Sequence, residues 1–275
     1  MRHWLPPLLV PAFLAACAAP TPGPQPGPVP RFADRPFEPF NRTDAVAIAR
    51  REWRLFGSPV DDAPDEDRLV PRPQDKPERQ PGLWQRVGEY WWVGLAMPVG
   101  APREQAWTGK HDAEGALFPA SVDGRYAWSA AFISYVMRIA GAGPRFPYSA
   151  NHATYVNAAA AHQSPILEAL PPERYAPRPG DLICLGRREA AALKFGALPT
   201  GYAWPGHCAI VVDAQPGALS VIGGNVDDAV TLTHVPVTQT GTLATPDGTV
   251  LDSRYPWFVV LRVIYDAEAE PAGDE

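Results

Sequence analysis

The chain has 275 residues, 46% of them hydrophobic, and a formal net charge of −6, which supports one substantial core and excludes a disordered protein. Acids outnumber the scattered lysines and arginines, so no nucleic-acid partner is expected. Proline, at 34 residues, is about two and a half times ordinary usage and gathers in two blocks that read as linkers.

At the amino terminus Arg2 precedes an apolar run from Leu5 to Ala15, followed by Leu14-Ala15-Ala16-Cys17. The run falls well short of the roughly 20 helical residues that span a bilayer, so it reads as a signal peptide over 1–16. The LAAC ending resembles a bacterial lipobox. That resemblance implies cleavage before Cys17, lipid attachment to Cys17 and a membrane anchor; alanine at position 18 implies the outer membrane, with the folded part facing the periplasm. The Pro- and Gly-rich stretch over 17–40 is an extended tether, because proline fixes φ and removes donors.

Asn41 and Thr43 offer caps for a helix running to about Phe56, stopped by Gly57 and Pro59. A charged, proline-rich surface loop spans 60–82. Leu83 to Leu95 carries Trp84, Tyr90, Trp91 and Trp92: flat faces that suit sugar rings, or, at helical spacing, a helix that packs on the core. Residues 96–127 lack a clear period, and the His111-Asp112 pair in them is too little to indicate metal. The stretch 41–106 is thus a helical extension ahead of a domain over 107–266, with an acidic tail over 267–275.

Tyr126 to Gly141 reads as one amphipathic helix with Ser129 in its first turn. Ser129 there is either a plain cap or a nucleophile held at the positive end of a helix. Gly141 and Gly143 end that helix, and Ser149 can cap another through His152, Tyr155 and Val156 to about Ala161. The pattern then turns to strands at 181–185, 207–212, 218–222, 230–237 and 257–265, joined by short turns that favour antiparallel pairs. Helices first and a sheet second indicate an α+β fold.

Acyl transfer needs a nucleophile, a histidine to take its proton, and a group that orients the imidazole. Ser129, His207 and Asn225 fit these roles: His207 opens a strand after Gly206, Asn225 closes the next one after Gly223-Gly224, and adjacent antiparallel strands can bring them together. The blocks AWSAAFISYVMRIAG, PRPGDLICL and GHCAIVVDAQPGALSVIGGN resemble the cysteine/histidine-dependent amidohydrolase/peptidase (CHAP) family, relatives of the NlpC-type and papain-like peptidases. The resemblance covers Trp107 to Tyr265. It implies a papain-like α+β domain with N-terminal helices packed on an antiparallel sheet, Ser129 as nucleophile, His207 as base, Asn225 as orienter, and peptidoglycan peptides as substrate or partner. It departs at Ser129, where the family pattern has cysteine: a thiolate forms readily beside an imidazole, whereas a hydroxyl must be deprotonated during attack. A peptidoglycan amidase or endopeptidase and a non-catalytic binder of peptidoglycan or of a partner protein therefore both remain open.

Cys184 and Cys208 can form a disulfide if their strands are neighbours; otherwise Cys184 is a buried thiol. Cys208 should point away from His207's face of the strand. No cofactor is expected. Zinc on His207 with Asp213 or Asp227 lacks a supporting ligand spacing. His162 and His234 are adequately explained as surface residues of a helix and a strand, and His152 stands apart because its helix closely follows that of Ser129.

Overall fold

The computed structural model describes residues 39–63, 71–95, 116, 118–119 and 126–266. The signal peptide, Cys17, most of the tether, His111 and the acidic tail lie outside the described residues. Four helices are described: α1 (Arg42–Leu55), α2 (Leu83–Trp92), α3 (Ser129–Ile139) and α4 (His152–Ala160). Six strands follow: β1 (Leu167–Leu170), β2 (Leu182–Gly186), β3 (Gly206–Gln215), β4 (Ala218–Val226), β5 (Ala229–Pro236) and β6 (Trp257–Val263). They form one sheet in the order β1-β6-β2-β3-β4-β5, every pair antiparallel. The fold is α+β.

Strand alternation divides the sheet's side chains between two cores. Cys184, Cys208, Ile210 and Ile222 belong to the cluster shared with the helices, whereas Ile183, Leu185, Ala209 and Val211 belong to a smaller one with Leu243 and Trp257. The first strand was not foreseen: LEAL is short, lies at the sheet edge against β6, and is followed directly by Pro171-Pro172. The other edge, β5, is covered by an N-terminal segment, with Asp61 N–H donating to the Leu232 carbonyl at 2.9 Å and Leu232 N–H to that of Pro59 at 3.0 Å.

Every residue of α3 from Ser129 to Met137 is buried, so this is a central helix and not the amphipathic one its sequence suggests. It is covered on one side by α1 and α2 and on the other by the sheet. The approach to β4 depends on Gly224, where a Cβ would come within 2.6 Å of the Phe132 Cβ and 2.9 Å of the Trp128 ring. On the outer side the carboxylate of Glu52, fully buried on α1, accepts from Arg86 Nη2 at 2.8 Å and from Tyr90 on α2 at 2.8 Å. Arg86 also donates to Tyr135 of α3 at 2.8 Å, so one charged cluster fastens three helices. The aromatic stretch after Leu83 is accordingly packing material: Tyr90 meets Trp128, Phe132 and Tyr135 ring to ring.

Cys184 and Cys208 stand directly opposite on β2 and β3 and form a disulfide. No described helix is long and apolar enough to cross a membrane.

Candidate functional site

Ser129 is the first residue of α3, and the N-cap, Trp128, provides no side-chain cap. The first-turn N–H groups of α3 therefore keep their donor capacity and partial positive charge. Trp128 is itself held by its indole N–H, which donates to Glu78 Oε2 at 2.6 Å.

The partner of the Ser129 hydroxyl is His152, whose Nε2 lies 2.7 Å from Ser129 Oγ. His152 opens α4, but the cap of that helix is Asn151 and not Ser149: Asn151 Oδ1 accepts from Ala153 N–H at 2.9 Å. Ser149 acts one step earlier, its hydroxyl accepting from Asn151 N–H at 3.0 Å. On the far side of the ring, His152 Nδ1 is hydrogen-bonded to the hydroxyl of Tyr155. An i, i+3 spacing puts His152 and Tyr155 on one helix face, so a single turn of α4 positions both ring and anchor.

The structure does not join Ser129 to His207, nor His207 to Asn225, by a hydrogen bond. His207 is the second residue of β3, and alternation turns Cys208 and Ile210 toward the helix-side core. The His207 ring lies instead against Gly223, where a Cβ would come within 2.6 Å of Nε2, and 6.5 Å from the Trp257 ring. It meets the His152 ring edge-on at 5.6 Å, and its Nδ1 has no hydrogen-bond partner. Pairing between β3 and β4 stops at Ile210 and Ile222, so the register does not carry His207 to Asn225. Asn225 is the extra residue of a bulge against β5, with φ 58°, a left-handed conformation that asparagine tolerates. The bulge turns it toward the cleft, as bulges beside functional sites commonly do.

Ser129, His152 and Asn225 line a cleft of about 230 Å³ with Gly206, Trp204 and Arg187. Burial pushes the His152 imidazole down to about 3, and the Arg187 charge adds to the effect. His207 is held well below its ordinary value by burial first, then by Arg187 and His152. Burial also raises Tyr155 well above its usual range. At neutral pH the site therefore holds two neutral imidazoles and a protonated phenol. If the serine donates to Nε2, the other ring nitrogen carries the proton and donates to the Tyr155 oxygen.

Among the described residues no group of three or more histidine, cysteine, aspartate or glutamate side chains could hold a metal. His234 instead pairs with Asp62, Nδ1 to Oδ2 at 2.8 Å, on the surface. Arg187 and Asn151 drew no attention from the sequence; the Asn-His pair at a helix start was the available signal for the latter, whereas Arg187 follows a buried strand without a motif.

The pattern of the family described as "Uncharacterized protein conserved in bacteria (DUF2272)" matches residues 78–263, more than half of the chain. No curated protein and no solved structure matches the chain.

Proposed function

The chain belongs to the DUF2272 family, and we propose that its helix-and-sheet domain is a CHAP-like, papain-like domain that hydrolyses amide bonds of peptidoglycan peptides. The observation that carries this reading is the 2.7 Å hydrogen bond between Ser129 Oγ and His152 Nε2 at the start of a buried helix, inside a cleft. The resemblance of the three sequence blocks supports it, and the lipobox-like LAAC segment supports a lipid anchor at Cys17 that keeps the domain in the periplasm near the wall.

The reading assigns the proton-accepting role to His152 and not to His207. Ser129 Oγ attacks the amide carbonyl carbon while its proton passes to His152 Nε2. The carbonyl π electrons move to oxygen, and the resulting oxyanion is stabilised by the N–H groups and partial charge of the α3 terminus. The tetrahedral centre collapses, His152 returns the proton to the departing amine, and an ester to Ser129 remains. Water then attacks that ester with His152 again as base, releasing the acid and restoring the serine. Tyr155 fixes the imidazole's orientation and tautomer, as the third member of a triad does. Asn225 borders the substrate, and His207 adds a second neutral ring behind the first.

A second reading is favoured by one observation: the charge facing both imidazoles is the cation Arg187, and no carboxylate is bonded to either ring. An imidazolium formed during turnover would have no counter-ion, which suits a domain that binds peptidoglycan peptides without cleaving them. Incubation of the protein with purified sacculi and muropeptides separates the two. Cleavage by the wild type, lost in Ser129→Ala, supports the hydrolase; retention on sacculi without cleavage, with cleavage gained in Ser129→Cys, supports the binder. Neither cleavage nor retention would overturn the cell-wall reading.

A further inference from the structure

The cleft is charged against the trend of the chain. The protein as a whole carries −6, yet the side chains lining the cleft include Arg187 and Arg188 and no aspartate or glutamate. Both arginines lie exposed on the turn that follows β2, and the turn is a firm one. Arg187 N–H donates to the Pro205 carbonyl at 2.8 Å, while the Arg187 carbonyl accepts from Ala190 N–H at 2.9 Å and that of Arg188 from Ala191 N–H at 3.1 Å. Arg188 is held at φ 53°, a left-handed conformation uncommon for a long side chain. A backbone fixed in this way sets where two guanidinium groups start from, and a fixed start reduces the entropy lost when they close on a ligand.

The reactive side of the cleft has the same sign. Ser129 sits at the uncapped, partially positive end of α3, and both histidines are neutral, so neither introduces a negative charge. A cationic group entering here would meet two arginines and a helix N-terminus; an anion would meet forked donors suited to bidentate pairing with a carboxylate.

We infer that this cleft selects peptides bearing a carboxylate close to the amide presented to Ser129, with Arg187 and Arg188 as the residues that hold it. This rests on the reading of Ser129 and His152 as the hydrolytic pair, and it narrows the substrate to acidic peptides. The carboxylate has two chemical sources, the free C-terminus of the peptide or an acidic residue within it. Arg187 is a specificity residue here and takes no part in bond making.

The test uses the full chain carrying Ser129→Ala, so that binding is measured without turnover, and four forms of one short muropeptide: both carboxylates free, the C-terminus amidated, the internal carboxylate amidated, and both amidated. Isothermal titration is expected to show a loss on the order of tenfold when the recognised carboxylate is amidated, the affected arm identifying its source. Adding Arg187→Glu and Arg188→Glu should cost the free-carboxylate peptide a similar factor and leave the doubly amidated peptide unchanged. Should the charge-reversed protein not fold, the affinity of the first protein between low and high salt gives the same answer, falling for the free peptide alone. Equal binding of all four peptides, with no salt dependence, overturns the inference. Wild-type turnover is measured on the same peptides. Cleavage indifferent to amidation leaves the hydrolase reading intact and removes this one; charge-selective binding without cleavage does the reverse.

Discussion

Ser129 Oγ and His152 Nε2 stand 2.7 Å apart although they belong to different helices, and the contact is made where the first residue of α3 meets the first residue of α4. Two helix starts thus share one hydrogen bond. Both side chains are buried, so the pair is part of the core as well as the mouth of a cleft.

Burial of these imidazoles ties stability to pH. In the unfolded chain a histidine takes up its proton near 6.5, whereas folded His152 does so near 3. Between those values the unfolded state binds more protons, so stability falls as pH drops from about 6.5 toward 3 and is unaffected by this group above 6.5. His207, shifted in the same direction, steepens the fall. Urea unfolding at a series of pH values should show this slope, and His152→Gln should flatten it. An unchanged slope in that variant would show that His152 is not buried in its neutral form.

The same shift predicts the acid side of activity. A base with so low a value remains unprotonated in mild acid, so kcat/KM on a peptide substrate should hold its plateau well below pH 6, the usual limb of a histidine-dependent hydrolase. A fall of activity centred near 6.5 in the free enzyme would point to an exposed, unshifted histidine as the base.

The start of α3 was legible in the sequence because its cues are local: an apolar run, a serine in the first turn and glycines beyond the end. Strands β2 to β6 were likewise visible through their β-branched composition and the turns between them. His207 was the natural candidate for the base because it follows a glycine at a strand start, but pairing depends on which face each residue takes and where the ladder ends. Those are properties of the register at Ile210 and Ile222, not of the motif. His152 was singled out only for its nearness in the chain, since nothing local announces that its helix folds back over Ser129. Strand β1 was hidden because a four-residue edge strand bounded by proline has too little length to show a period.

Gly224 marks the closest approach of the sheet to the serine helix. A methyl group there would lie 2.6 Å from the Phe132 Cβ, so Gly224→Ala should displace α3 and destabilise the fold by roughly 1 to 3 kcal/mol. Thermal unfolding measures the loss. Because the shift moves Ser129 with its helix, activity should fall more than stability alone explains; a variant as stable and active as wild type would show that α3 and β4 are not in contact at this point.

The charged cluster under α3 makes a separate prediction. Glu52 is fully buried and bonded to Arg86 and Tyr90, so Glu52→Ala leaves a partly buried guanidinium and a buried phenol without their acceptor. Losses for breaking such a pair run to roughly 3 kcal/mol or more, readable as a lower urea midpoint. A midpoint within error of wild type would mean that α1 and α2 are not fastened to α3 through this carboxylate.

The most direct test of the central claim is covalent labelling of Ser129. The protein is incubated with a serine-directed phosphonate near neutral pH, and its intact mass and labelled peptide are determined by mass spectrometry. The account predicts one adduct on Ser129, absent from Ser129→Ala and strongly slowed in His152→Gln, with His207→Gln retaining more labelling than His152→Gln. Absence of an adduct in the wild type, or labelling that is lost with His207 and indifferent to His152, would contradict it.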